Sequence, residues 1–132
     1  MLPARHGDCI WIEYGDPQKP SRLLIDGGTA GTYKAIRKRL KALETDERHF
    51  ELLIVTHIDI DHINGILKLL GDQKVKVSFN DIWFNGWRHL TGSDLEEMGP
   101  VEGEKLTTFF FDNTDVPWNY AFVERGKRGV FI

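Results

Sequence analysis

The stretch ELLIVTHIDIDHINGILKLL, residues 51–70, constrains the fold of this chain more than any other. Leu52, Leu53, Ile54 and Val55 form a continuous apolar run, the pattern of a strand covered on both faces. His57, Asp59, Asp61 and His62 then crowd into six positions. Beyond them Ile63, Ile66, Leu67 and Leu70 recur at helical spacing, with Gly71 suited to the position just past a helix end. A buried strand that empties into a polar turn and then a helix is the repeating unit of an α/β sheet. The carboxyl ends of such strands are where open α/β sheets place their sites. Side chains alternate in extended backbone, so the spacing predicts His57, Asp59 and Asp61 on one side of the segment. His62, opening a helix over 62–71, can swing toward them. Imidazole suits zinc, iron or nickel, and carboxylate also suits magnesium and manganese.

The rest of the chain supplies the other parts of such a sheet. DCIWIEYG (8–15) and RLLID (22–26) read as strands joined by the turn DPQKP (16–20). GGTAGT (27–32) reads as a flexible loop. Tyr33, Ile36, Leu40 and Leu43 then mark a helix whose other face carries Lys34, Arg37, Lys38, Arg39 and Lys41. That basic face reads as solvated rather than as a nucleic-acid surface. TDERH (45–49) is a polar connection. VKVSF (75–79) and DIWFNG (81–86) read as one strand, or two with a turn at Asn80. The predicted order is β-β-α-β-α-β. In the last third, GSDLEEMG (92–99) suits a short capped helix and EKLTTFFF (104–111) a helix or a strand. DNTDVPWN (112–119) suits a loop, and YAFVERGKRGVFI (120–132) a hairpin ending on GVFI in mid-strand.

With 132 residues, 41% hydrophobic and 28% charged, the chain is long enough for one domain with a core of its own. A net charge of −3 gives no general basic field. No apolar run is long enough to span a membrane, and MLPARHGDC has no signal-peptide core. The single cysteine, Cys9, has no partner for an internal disulfide and reads as a small apolar side chain. These features predict a cytoplasmic protein. GGTAGTYK lacks the P-loop spacing. His6 and His49 read as surface or loop residues, Asp112 and Asp115 as a solvated turn, and Trp83, Phe84 and Trp87 as core.

THIDIDH resembles the second motif of the metallo-β-lactamase-fold hydrolases, H-x-H-x-D-H, with Asp59 in the place of the second histidine. That exchange is similar to the hydrolase domain of the ComEC/Rec2-like competence proteins and related hydrolases. RHGDCIWIEYG looks like the first strand of that subgroup, LLIDGG like the family's first motif, and DHINGI like its D-H-x-x-G continuation. The resemblance covers about residues 5–90; DIWFNGWRHL and PWNYAF resemble the subgroup more faintly. It implies an αββα sandwich, with His57 and Asp59 holding a first metal and Asp61 and His62 a second. Asp61 would also orient the nucleophilic water, and Asp26 would fix the loop beside the metals. It implies hydrolysis by a metal-bound hydroxide, with zinc or manganese as the metals and a phosphodiester or nucleic acid as the favoured substrate.

The family's sandwich is built of two similar halves and is longer than this chain. Its later motifs supply a histidine, a bridging aspartate and a final histidine. Past His62 this sequence has only His89, a further candidate ligand that falls early for the third motif. The expectation is therefore a single partial domain over residues 1–132, covering about the first half of the sandwich. Such a domain would be inactive in isolation and prone to self-association through an exposed sheet face. The alternative function is a catalytically inactive remnant, or a partner-binding module retaining half of the fold.

Overall fold

A computed structural model of the chain describes residues 1–4, 6–86 and 101–122. The elements follow the predicted order: β1 (Ile10–Asp16), β2 (Lys19–Ile25), α1 (Tyr33–Lys41), β3 (His49–Ile54), α2 (Ile60–Gly71), β4 (Ser78–Trp83) and α3 (Val101–Asp112). The sheet order is β1-β2-β3-β4. β1 and β2 form an antiparallel hairpin, while β2, β3 and β4 run parallel, so the helices between them are crossovers. This is the mixed α/β architecture expected from the sequence, and no described helix is long and apolar enough to cross a membrane.

The register explains which sheet face the helices cover. Trp11, Leu24, Leu53 and Ile82 are cross-strand neighbours and form one buried row through all four strands. Each such side chain contributes about 1.5–3 kcal/mol when fully buried. Ile36 and Leu40 of α1 and Ile63, Ile66 and Leu69 of α2 are buried in the same core. On the first strand the row ends beneath Arg39, whose guanidinium lies 4.6 Å over the Trp11 ring. Arg39 also pairs with Glu13 at 3.0 Å, and Glu13 in turn holds the buried Arg22 at 3.0 Å. The next row, Ile10, Ile25, Ile54 and Trp83, points to the opposite side and is only half-buried.

Several local expectations are corrected. Of the two readings around Asn80, the single strand is the one found: β4 runs through it, and its side-chain amide donates to Glu51 on the neighbouring strand. The segment before Ser78, expected as a strand, is a turn after α2. Gly71 is the last residue of α2 rather than the residue beyond it, and Asp72 caps the end. Asp72 accepts from Tyr33 Oη and from Arg37 Nε, so its side chain ties the end of α2 to α1. Residues 27–32 are no loose loop, because Gly27, Gly28 and Thr32 are buried. The ambiguous 104–111 segment is helical: Gly103, Leu106, Thr107 and Phe110 are its buried positions, spaced three and four apart.

The loop after α3 is a structural clamp. Asn119 accepts from the Phe84 N–H and donates to the Phe84 carbonyl, both at 2.9 Å, extending the edge of β4. Asp81 accepts from the Tyr120 and Ala121 amides, each at 2.9 Å, and so caps a short 3₁₀ turn at Tyr120–Phe122. That turn replaces the start of the expected hairpin; the remainder, 123–132, lies outside the described residues, as do 92–99 and Trp87.

Candidate metal centre

Asp26 follows directly after β2 and is the innermost residue of the site, 1% exposed. Its amide donates to the Ile54 carbonyl at 2.8 Å, which sets it beside the end of β3. It adopts φ 53°, a left-handed conformation that Asp tolerates better than most non-glycine residues. The turn aims its carboxylate at the loop after β3. There Oδ1 accepts the Thr56 amide at 2.8 Å, and Oδ2 accepts the Thr56 hydroxyl at 2.5 Å and His62 Nδ1 at 3.1 Å.

Two pairs of backbone atoms in contact hold this arrangement. The Gly27 amide donates to the His62 carbonyl at 2.8 Å, and the Gly65 amide donates to the Gly28 carbonyl at 3.0 Å. A Cβ at Gly65 would lie 1.9 Å from the Gly27 oxygen, and a Cβ at Gly27 would lie 2.5 Å from the Ile66 nitrogen. The loop after β2 and the second turn of α2 therefore touch backbone to backbone, which only glycine permits. On the other side Gly7, at φ +80°, sets the N-terminal segment against the Asp61 carbonyl.

The two histidines lie side by side. The rings of His57 and His62 have centroids 4.7 Å apart, and ligand atoms of Asp26, His57 and His62 all lie within 4.8 Å of one another. The hydrogen bonds fix how each ring is presented. Thr56 has one hydroxyl proton, and the ionised Asp26 carboxylate can only accept it. His57 Nδ1, 2.7 Å from the same hydroxyl, must then be the donor to Thr56. His62 Nδ1 likewise donates to Asp26. Both imidazoles are left with a lone pair on Nε2. A buried carboxylate that orients histidines through Nδ1 is the usual outer support of a metal site. Asp26 itself belongs to the group of three whose ligand atoms lie together, and its Oδ1 accepts a single hydrogen bond, from the Thr56 amide.

His62 titrates above its ordinary value. Partial burial pulls its pKa down, but the Asp26 hydrogen bond and the Asp26, Asp61 and Asp8 carboxylates outweigh that and raise it. Cys9, buried and close enough to feel the Asp26 charge, is pushed up to about 12 and stays an unreactive thiol.

The expected alternation is corrected at one point. α2 begins at Ile60, two residues early, so Asp61 lies in its first turn instead of at the end of an extended run. Asp59 is the N-cap. Its carbonyl accepts the His62 and Ile63 amides, yet its side chain makes no capping bond and stands exposed. An N-cap aspartate ordinarily spends that carboxylate on the helix. Asp61 is half-buried at the same helix end. His89 lies outside the described residues. Thr56 and Gly27 are the site residues that spacing did not single out. Their signals are a hydroxyl immediately before His57 and a second small residue after Asp26.

Two imidazoles that each keep a lone pair on Nε2, gathered with the buried Asp26 carboxylate, suit a divalent metal, whereas Asp59 and Asp61 do not fall in that close group among the described residues. The family model of the metallo-beta-lactamase superfamily matches residues 2–129. The chain belongs to that superfamily. No curated protein matches it. As a metallo-beta-lactamase-superfamily chain it carries its candidate ligands on the loop after β3 and at the aspartate after β2, with the Gly27–Gly65 contact joining that second loop to α2.

Proposed function

We propose that the chain is the metal-binding part of a hydrolase acting on phosphodiesters. The observation that carries this reading is the donor relay from His57 through Thr56 to Asp26, matched by His62 to Asp26, which leaves each ring with its Nε2 lone pair. His57 and Asp59 would hold one metal, and His62 with Asp61 a second. The metals would lower the pKa of water to about 7 and so supply a nucleophile at neutral pH. Asp26 keeps both imidazoles in the tautomer that can bind. Asp61, at the helix N-terminus, orients the attacking water and accepts its proton at the carboxylate.

A phosphodiester or nucleic acid is favoured because THIDIDH is similar to the ComEC/Rec2-like form of the motif. The carboxylate of Asp59 also makes the site harder than one with a second imidazole there, so manganese should serve as well as zinc. Metal-free chain titrated with Zn²⁺ and Mn²⁺ tests this. Both should bind, and His57→Ala with His62→Ala should abolish binding. Wild type that binds no more metal than the double variant would overturn the reading. Turnover of a phosphodiester probe against a carboxylic ester then decides the substrate class.

A partner-binding module is the second reading. It draws on the row Ile10, Ile25, Ile54 and Trp83, an apolar sheet face that is only half-buried even with Phe122 against Trp83. Self-association detected by light scattering, without metal uptake, would favour it.

A further inference from the structure

Ile58 lies between His57 and Asp59 and faces the other way. His57 and Asp59 are exposed, whereas Ile58 packs against the core. This alternation means that the depth of Ile58 sets the height and direction of both neighbours. The surface beneath it is Gly103, in the first turn of α3. A Cβ at Gly103 would stand 3.2 Å from Ile58 Cβ and 3.3 Å from Cγ2, closer than carbon atoms comfortably approach. Glycine is the poorest ordinary residue for a helix, so its place on the buried face of α3 needs a reason. The neighbouring turn shows the same economy of space. Thr107 donates to the Gly103 carbonyl at 2.9 Å, and its hydroxyl would lie 2.5 Å from a Cβ at Gly86. The small face of α3 thus lies against the loops that follow both β3 and β4.

We propose that Gly103 is a positioning residue for the metal loop: its missing side chain lets Ile58 sink to the depth at which His57 and Asp59 meet the site. This rests on the metal-centre reading above. It assigns a role to α3, which contributes no ligand of its own among the described residues. His62 and Asp26 should be less sensitive to Gly103, because they are held by α2 and by the loop after β2. The effect is therefore concentrated in one half of the donor set.

The test compares Gly103→Ala with Glu104→Ala, an exposed position one residue along the same helix. In the metal-free full chain, Gly103→Ala should shift the NMR signals of the Ile58 methyls and the His57 imidazole, with a smaller change at the His62 imidazole, whose ring lies 4.7 Å from that of His57. Zn²⁺ affinity should fall about tenfold, as for loss of an outer support. The melting temperature should change little, since alanine is the better helix former. Glu104→Ala should change none of these. Ile58→Ala removes the same contact from the other side, and it too should move His57 and weaken Zn²⁺. The proposal is overturned if both Gly103→Ala and Ile58→Ala leave the His57 signals and Zn²⁺ affinity within about twofold of wild type. Wild type that takes up no Zn²⁺ would overturn the metal reading instead, while the His57 signals would still decide the role of Gly103.

Discussion

Asp26 accepts the Nδ1 hydrogen of His62 at 3.1 Å, joining residues 36 positions apart in sequence. The same oxygen takes the Thr56 hydroxyl, and Thr56 in turn takes the His57 Nδ1 hydrogen. One buried carboxylate therefore sets the tautomer of both histidines.

Asp26→Asn isolates that charge. Asparagine keeps the shape and tolerates the φ of 53°. Its amide nitrogen, however, would face hydrogens where the carboxylate accepted them, and its carbonyl cannot serve all three donors. Zn²⁺ affinity should fall about 10–100-fold, the range for removing such a support. Competition with a chelator of known affinity measures it, and an unchanged value would show that Asp26 orients neither ring.

The pH dependence follows from His62. Burial opposes its charge, but Asp26, Asp61 and Asp8 prevail, so the folded pKa lies above 6.5. In the metal-free chain the stability it contributes is fully present below pH 6.5 and is lost as pH rises through the raised value. Metal requires the neutral ring, so affinity must run the other way and climb with pH through that window. Melting curves with and without Zn²⁺ across this range should diverge as pH rises. In His62→Gln this component of the divergence should disappear.

A second titrating pair is independent of the site. Asp72 is held down at about 2, first by the Tyr33 hydroxyl, then by the Lys74 amide and by Arg37. Its contribution is present above pH 3.8 and is lost as pH falls toward about 2. Tyr33 is pushed up to about 12 by burial and by Asp72, so its contribution holds below pH 10 and is lost as pH rises through about 12. Tyr33→Phe should weaken the chain at neutral pH and flatten both arms of the melting temperature against pH. The acid arm should be modest because Asp72 is open to solvent screening.

The two histidines of the close group were legible in the sequence because ligand chemistry is local. His57, Asp59, Asp61 and His62 lie within six residues of each other, and the switch in apolar spacing around them placed a strand before and a helix after. The element order was legible for the same reason. The start of α2 was misjudged because Asp59 and Asp61 count equally well as loop or as first-turn residues, and capping by the Asp59 backbone decides between them. At Asn80 the sequence left a turn open because asparagine marks turns, whereas a cross-strand partner, Glu51, keeps it in one strand. The 27–32 loop looked flexible because glycine permits freedom. Only the position of α2 shows that Gly27 uses its small size instead. Gly103 and Ile58, 45 positions apart, could not be paired without the fold.

Two glycines in α2 separate these uses of the residue. Gly65 and Gly71 sit in one helix, and alanine is the better helix former at either place by about 1 kcal/mol. Propensity alone would make both substitutions stabilising. At Gly71 a Cβ meets nothing within 4 Å, and the backbone is not left-handed, so Gly71→Ala should stabilise the chain by up to about 1 kcal/mol. At Gly65 the same Cβ would overlap the Gly27 carbonyl oxygen at 1.9 Å. That neighbour is backbone and cannot rotate away, so relief requires α2 to move off the loop after β2. Overpacking of this kind costs about 1–3 kcal/mol and exceeds the gain in propensity. The movement would also stretch the Gly27–His62 and Gly65–Gly28 hydrogen bonds and draw His62 away from Asp26. Gly65→Ala should therefore lower the urea midpoint without changing its slope, and lose Zn²⁺ affinity, while Gly71→Ala raises the midpoint and leaves Zn²⁺ untouched. Equal midpoints for the two variants would show that the close approach of Gly27 and Gly65 does not hold the metal centre together.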